Sequence, residues 1–155
     1  MHTVKLDLHK GIVSIDSNPL TVDNEGTLSS AIAKLCSQQS LTDEGPTYYR
    51  LASKASIFGK SADVVIEVCG GIVYSVAFLF DFIEFFESSI LDSRILKACE
   101  KSLNMKFVSP HPSTAILNSS AWGQAKFSYD PKQGDLSLDI IFERQPCKSA
   151  SEHEC

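Results

Sequence analysis

Alternating apolar and polar positions recur along the chain, and they predict hairpins. In TVKLDLHKGIVSID (residues 3–16) a two-residue turn at Lys10-Gly11 would set Leu8 opposite Val13 and Leu6 opposite Ile15. Val4, Leu6, Leu8, Val13 and Ile15 would then share one apolar face. The most apolar stretch, Ala62–Phe86, reads as two strands joined at Gly70-Gly71. That loop predicts Val68 against Val73, Ile66 against Ser75, Val64 against Ala77 and Ala62 against Leu79. A closing hairpin is expected over Trp122–Tyr129 and Asp135–Glu143, with Ala125, Phe127, Leu136, Leu138, Ile140 and Phe142 at alternate positions. Trp122 falls out of that phase, which predicts a bulge near Gly123. Thr47–Ala55 fits a further strand. Lys106–Val108 fits a short one ahead of Pro110 and Pro112, which exclude a helix there.

The period turns helical twice. Leu28, Ala31, Ile32 and Leu35 predict a helix over residues 28–38, capped by Thr27. Leu91, Ile95, Leu96, Cys99 and Leu103 predict a second over Leu91–Leu103, with Asp92 early and Lys97 and Lys101 late, as the helix dipole favours. The order becomes β-β-α-β-β-β-α-β-β. This is an α+β domain over residues 1–145, mostly antiparallel, with about six to seven strands in hairpins packed against two helices. Residues 146–155 are polar and are expected to form a disordered tail.

Composition narrows this picture without changing it. A chain of 155 residues, 43% hydrophobic and 21% charged, can bury a core without metal or disulfide. A net charge of −5 argues against nucleic acid, whose phosphates call for a basic stripe. The longest apolar run, Gly70–Phe80, is too short to span a bilayer and is closed by Asp81 and Glu84. No basic segment followed by an apolar one opens the chain, so a cytoplasmic protein with no membrane association is expected. Cys36, Cys69, Cys99, Cys147 and Cys155 are odd in number, widely spaced and without a CxxC pair, which predicts free thiols in a reducing compartment.

Catalytic motifs are missing from the sequence. There is no HExxH, GxSxG, SxxK or phosphate-loop pattern, and His2, His9, His111 and His153 are scattered. Gly70-Gly71 is followed by a strand pattern, so no helix N-terminus is available to hold an anion. The expectation is a protein without cofactor or metal that is not an enzyme. Binding chemistry is better represented. Asp81, Glu84 and Glu87 cluster with Phe82, Phe85 and Phe86 in a segment ambiguous between loop and helix, and aromatic anchors dominate interface energies. Asp81, Glu84, Phe85, Glu87 and Asp92 are therefore candidate partner-binding residues, with the polar sheet face as the other candidate surface.

One resemblance bears on this. The segment WGQAKFSYDPKQGDLSLDIIF, with Trp122-Gly123, Tyr129-Asp130-Pro131 and a final alternating strand, resembles small bacterial immunity proteins of polymorphic toxin systems. It extends over residues 48–143. The resemblance implies an acidic, non-enzymatic protein that binds and neutralises a cognate toxin, whose toxin domain would be basic. The order of elements also resembles that of secretion chaperones, obligate dimers with a further helix, and so allows a chaperone-like or scaffold protein. An enzyme with a dispersed site, using His111 and a sheet carboxylate, is the remaining alternative.

Overall fold

The computed structural model describes residues 1–40, 45–80, 97, 100–101, 103–111, 114–119, 121–130 and 135–143. Three tight turns set its hairpins. At Asp16-Ser17 (φ 51° and 69°), Phe58-Gly59 (54° and 73°) and Gly70-Gly71 (60° and 81°) both central residues have positive φ, the twist that matches two-residue hairpin loops. The elements are β1 (His2–Asp7), β2 (Ile12–Ile15), β3 (Asn18–Pro19), α1 (Ser30–Ala33), β4 (Cys36–Ser40), β5 (Thr47–Leu51), β6 (Ala55–Ile57), β7 (Lys60–Cys69), β8 (Ile72–Phe80), β9 (Val108–His111), β10 (Thr114–Ser119), β11 (Gly123–Asp130) and β12 (Asp135–Phe142).

Among the described residues the strands join into one 12-stranded sheet, ordered β3-β2-β1-β6-β7-β8-β12-β11-β10-β9, with β5 also paired to β7 and β4 paired to β5. All pairings are antiparallel except β1 with β6, which is parallel at His2↔Ala55 and Thr3↔Ser56. The sheet is rolled. Trp122, at the start of β11, donates its indole N–H to the carbonyl of Leu8, just past β1, at 2.7 Å. Yet β1 and β11 are separated by four strands along the sheet. Gly11 lies so close to the Trp122 ring that a Cβ would overlap it, and its φ of +67° is one that glycine tolerates best. The inner face holds the core, including Leu8, Val13, Ile15, Val64, Ile66, Phe78, Phe127, Leu138 and Ile140. Phe107 rests on Phe127 with ring centroids 5.4 Å apart.

The expected α+β fold with two helices is overturned: the molecule is mostly sheet. Of the helix predicted over 28–38, only Ser30–Ala33 forms, with Ser29 rather than Thr27 at its N-cap and no side-chain capping bond. Thr27 instead bridges to Ile72. The polar run CSQQS becomes β4 because it supplies partners for the backbone of β5, a tertiary demand that local periodicity does not display. Of the predicted Leu91–Leu103 helix, Lys97, Glu100, Lys101 and Leu103 are helical, and its other residues lie outside the described set, as do residues 146–155. Residues 104–120, expected to give one short strand, give β9 and β10.

Register also differs from expectation in two hairpins. The first pairs Leu6 with Val13 and Val4 with Ile15, two positions from the predicted register, so the predicted face survives. In the central hairpin Val68 pairs with Val73, but Glu67 pairs with Ser75, which leaves Tyr74 as an extra residue. Beyond that bulge every pair is displaced by one, to Ile66↔Val76, Val64↔Phe78 and Ala62↔Phe80. Val76 and Phe78 are thereby turned into the core, where both are fully buried. Near Gly123 the register runs unbroken, so the predicted bulge is absent; Gly123 instead has φ at +142°, with the Ile141 carbonyl oxygen occupying the space a Cβ would need.

Two substitutions test the closure of the roll. Gly123→Ala is expected to cost about 3 kcal/mol or more, since the strained φ and the blocked Cβ position act together. Trp122→Phe is expected to cost about 1–3 kcal/mol by leaving the Leu8 carbonyl without its buried donor. Urea unfolding curves measure both.

Candidate functional site

Correct register across β10, β11, β12, β8, β7 and β5 defines a second face, on the side away from the core. One row runs Ile116, Lys126, Asp139, Ala77, Val65 and Arg50. A second runs Gln124, Ile141, Ser75, Glu67 and Tyr48, and a third Thr114, Ser128, Ser137, Leu79 and Asp63. Strand alternation puts these side chains outward wherever their neighbours point into the core. Two large apolar side chains on this face are exposed, Leu79 at 38% and Ile141 at 42%. On the two middle strands Leu79 and Ile141 are separated by the Asp139–Ala77 pair and each faces a serine, Ser137 and Ser75, so apolar and polar side chains are interspersed.

The charged flank on β5 and β7 is internally paired. Arg50 Nη2 lies 3.2 Å and Lys54 Nζ 3.7 Å from Asp63 Oδ2. The Tyr48 hydroxyl donates to Glu67 Oε2 at 3.2 Å, and burial, with the adjacent Glu67 charge, holds its ionisation above the ordinary tyrosine value. Toward the other side Lys126 of β11 and Asp139 of β12 are direct cross-strand partners. Burial pushes the Asp139 carboxyl up, and the Lys126 charge and a hydrogen bond with Ser137 offset this only in part. A carboxylate partly stripped of water is stabilised in its charged form by any further donor or cation brought near it.

A cleft opens at the other end of the roll, beside the Trp122 closure. It encloses about 430 Å³ and is lined by Lys10, Asp23, Asn24, Trp122, Phe142 and Glu143, among others. Asp23 is already committed to structure. Its Oδ1 accepts backbone N–H groups from Glu25, Gly26 and Thr27 at 3.1, 3.0 and 3.0 Å, and those bonds, Thr27 first, hold its carboxyl below the ordinary value. Among the described residues no histidine or cysteine lines the cleft. Among the described residues no group of three potential metal ligands is found.

The sequence-predicted partner residues Asp81, Glu84, Phe85, Glu87 and Asp92 lie outside the described residues. His111 sits in β9 opposite Thr114. His2 bonds Asp16 through Nδ1 and Oδ2 at 2.6 Å, and Asp16 is held below its ordinary value first by the Thr3 N–H and then by His2. The expectation of free thiols fails at Cys69, which is disulfide-bonded. Cys36 is free, half-buried, and pushed by burial to a pKa of about 11, so it is protonated and a poor nucleophile near neutral pH. Among the described residues no helix is long and apolar enough to cross a membrane.

Ile141 and Asp139 were legible in the sequence as the alternate positions of a half-buried strand, whereas the predicted register put Leu79 in the core. No family model, curated protein or solved structure matches the chain.

The raised Asp139 carboxyl sets a pH test. Its folded pKa lies above the unfolded one, so the folded state binds the extra proton between them and stability falls as pH rises through that window. Above the window the penalty is constant. Asp139→Asn is expected to raise the urea midpoint at pH 7, and the gain should vanish well below the unfolded aspartate pKa of about 3.9.

Proposed function

We propose that this protein is a non-enzymatic binding module whose outer sheet face docks a protein partner. The observation that carries the reading is the pair of exposed apolar side chains, Leu79 and Ile141, set among Val65, Ala77 and the partly desolvated Asp139. Exposed apolar side chains interspersed with polar ones suit a non-obligate protein interface, which as a whole is about as apolar as the rest of a protein surface. The net charge of −5 favours a basic partner through electrostatic steering. An inhibitor of the immunity type, neutralising a basic toxin domain, fits both features.

The disulfide at Cys69 bears on where such binding takes place. Bridges persist in oxidising compartments and are reduced in the cytosol. A bridge kept in the cell would set the protein in an oxidising compartment rather than the cytoplasm, while the outer face itself is built by strand register. Alkylation of unreduced protein taken directly from its cells should leave Cys69 unlabelled; labelling there would return the protein to a reducing compartment.

Binding itself is tested with a basic toxin domain encoded beside this gene. The wild-type chain should neutralise that domain at equimolar ratio. Leu79→Lys and Ile141→Lys should each weaken capture of a basic domain by about 10-fold or more while changing stability by about 1 kcal/mol or less, the lysine at position 79 then standing opposite Asp63 rather than against a like charge. Equal neutralisation by both variants, or a locus with no such domain and no partner recovered, would reject the proposal.

A further inference from the structure

Among the described residues the sheet has three ends, at β3, β9 and β4. An edge strand offers unpaired N–H and C=O groups to any passing strand, and proteins blunt such edges with proline, charge or brevity. The first two ends follow this rule. β3 is two residues long and contains Pro19, and β9 contains Pro110. β4 does not. Its sequence, Cys36-Ser37-Gln38-Gln39-Ser40, has no proline and no charge, and all five residues are held in register by β5.

The phase of its hydrogen bonds follows from one contact. Ala52 donates its N–H to the Leu35 carbonyl at 3.1 Å, which marks Leu35 and Ala52 as a hydrogen-bonded pair of the antiparallel ladder. Such pairs alternate with non-bonded ones. Ser37 and Gln39 therefore turn their backbone groups toward Arg50 and Tyr48 of β5. Cys36, Gln38 and Ser40 turn theirs to the open side, where no strand is paired with β4 among the described residues.

That open side is complementary to itself. Place a two-fold axis at Gln38, antiparallel to a second copy. Gln38 then pairs with Gln38 of the other copy, and Cys36 pairs with Ser40 in both directions. Every outward N–H meets an outward C=O, and no charge is brought against its like. We propose that β4 is a homodimerisation edge, through which two copies join their sheets into one continuous sheet about a two-fold axis at Gln38. The contact is isologous, so it closes at two copies and does not propagate. It leaves the outer faces of both copies open for a partner, and it stands or falls independently of the function proposed above.

Sedimentation equilibrium over a range of concentrations tests this. The wild-type chain should dimerise with a dissociation constant of about 1–100 μM, in the range of small, hydrogen-bonded interfaces. Gln38→Pro removes the N–H at the axis without touching a bond to β5, and Gln38→Lys sets two like charges across the axis. Each should weaken dimerisation by about 100-fold, a loss equal to about 2.7 kcal/mol. Should Gln38→Pro disturb folding, amide exchange of the wild-type chain provides the second measurement. Protection of the Cys36, Gln38 and Ser40 amides should rise with protein concentration, while that of the Ser37 amide stays constant. A monomer at all concentrations, a dimer unaffected by Gln38→Lys, or exchange at these amides independent of concentration would each overturn the proposal.

Discussion

The structure depends on one closure. The indole N–H of Trp122 reaches the Leu8 carbonyl, and Gly11 packs directly on the indole ring. This single meeting point joins two regions of the sheet separated by four strands, and turns an open sheet into a roll with an inside. A buried carbonyl past the end of a strand needs a donor, and a tryptophan side chain is long enough to supply one while filling apolar space. Phe142 packs beside Trp122 with ring centroids 6.2 Å apart, so the end of β12 is drawn into the same cluster. The Glu143 N–H donates to the Trp122 carbonyl at 2.8 Å, which ties the strand ends together through the backbone as well.

The closure also explains the separation of roles. Inside the roll, side chains from β1, β2, β7, β8, β11 and β12 fill a shared core and are nearly free of ionisable groups. Outside it, the same strands carry the alternate set of residues, where charge and apolar surface can coexist. The expected acidic, aromatic binding segment lay beyond one end of β8. The face argued for instead is spread over six strands, and no short motif could have announced it.

How much was legible depended on what kind of signal each element carries. The closing hairpin was readable because Leu136, Leu138, Ile140 and Phe142 alternate without interruption and all four are buried. The turn at Gly70-Gly71 was readable because it needs positive φ at both positions. The bulge at Tyr74 was not, since apart from Ser75, which the predicted register set on the core face, both sets of β8 positions are apolar, and its effect was to exchange the inner and outer sets beyond it. β4 was invisible for a different reason. Ser-Gln-Gln-Ser has neither period nor strand preference, and its conformation is imposed by the hydrogen-bonding groups of a neighbour. The short α1 shows the converse: Leu28, Ala31, Ile32 and Leu35 have helical spacing, but Leu28 is held by its N–H bond to the Gly71 carbonyl at 3.0 Å before the helix begins.

The position of β12 has a consequence for synthesis. It is the final strand of the sequence order, yet it lies between β8 and β11. Until residue 142 has left the ribosome, the strands on either side of that slot have no shared neighbour, and Val76, Phe78 and Phe127 lack the apolar layer that Leu138 and Ile140 complete. The nascent chain thus carries two unjoined pieces of sheet with open hydrophobic edges, the condition under which growing chains on one messenger associate with each other. Joining of the two pieces therefore waits on the entry of β12 between β8 and β11, which makes this one insertion the step on which the shared core depends.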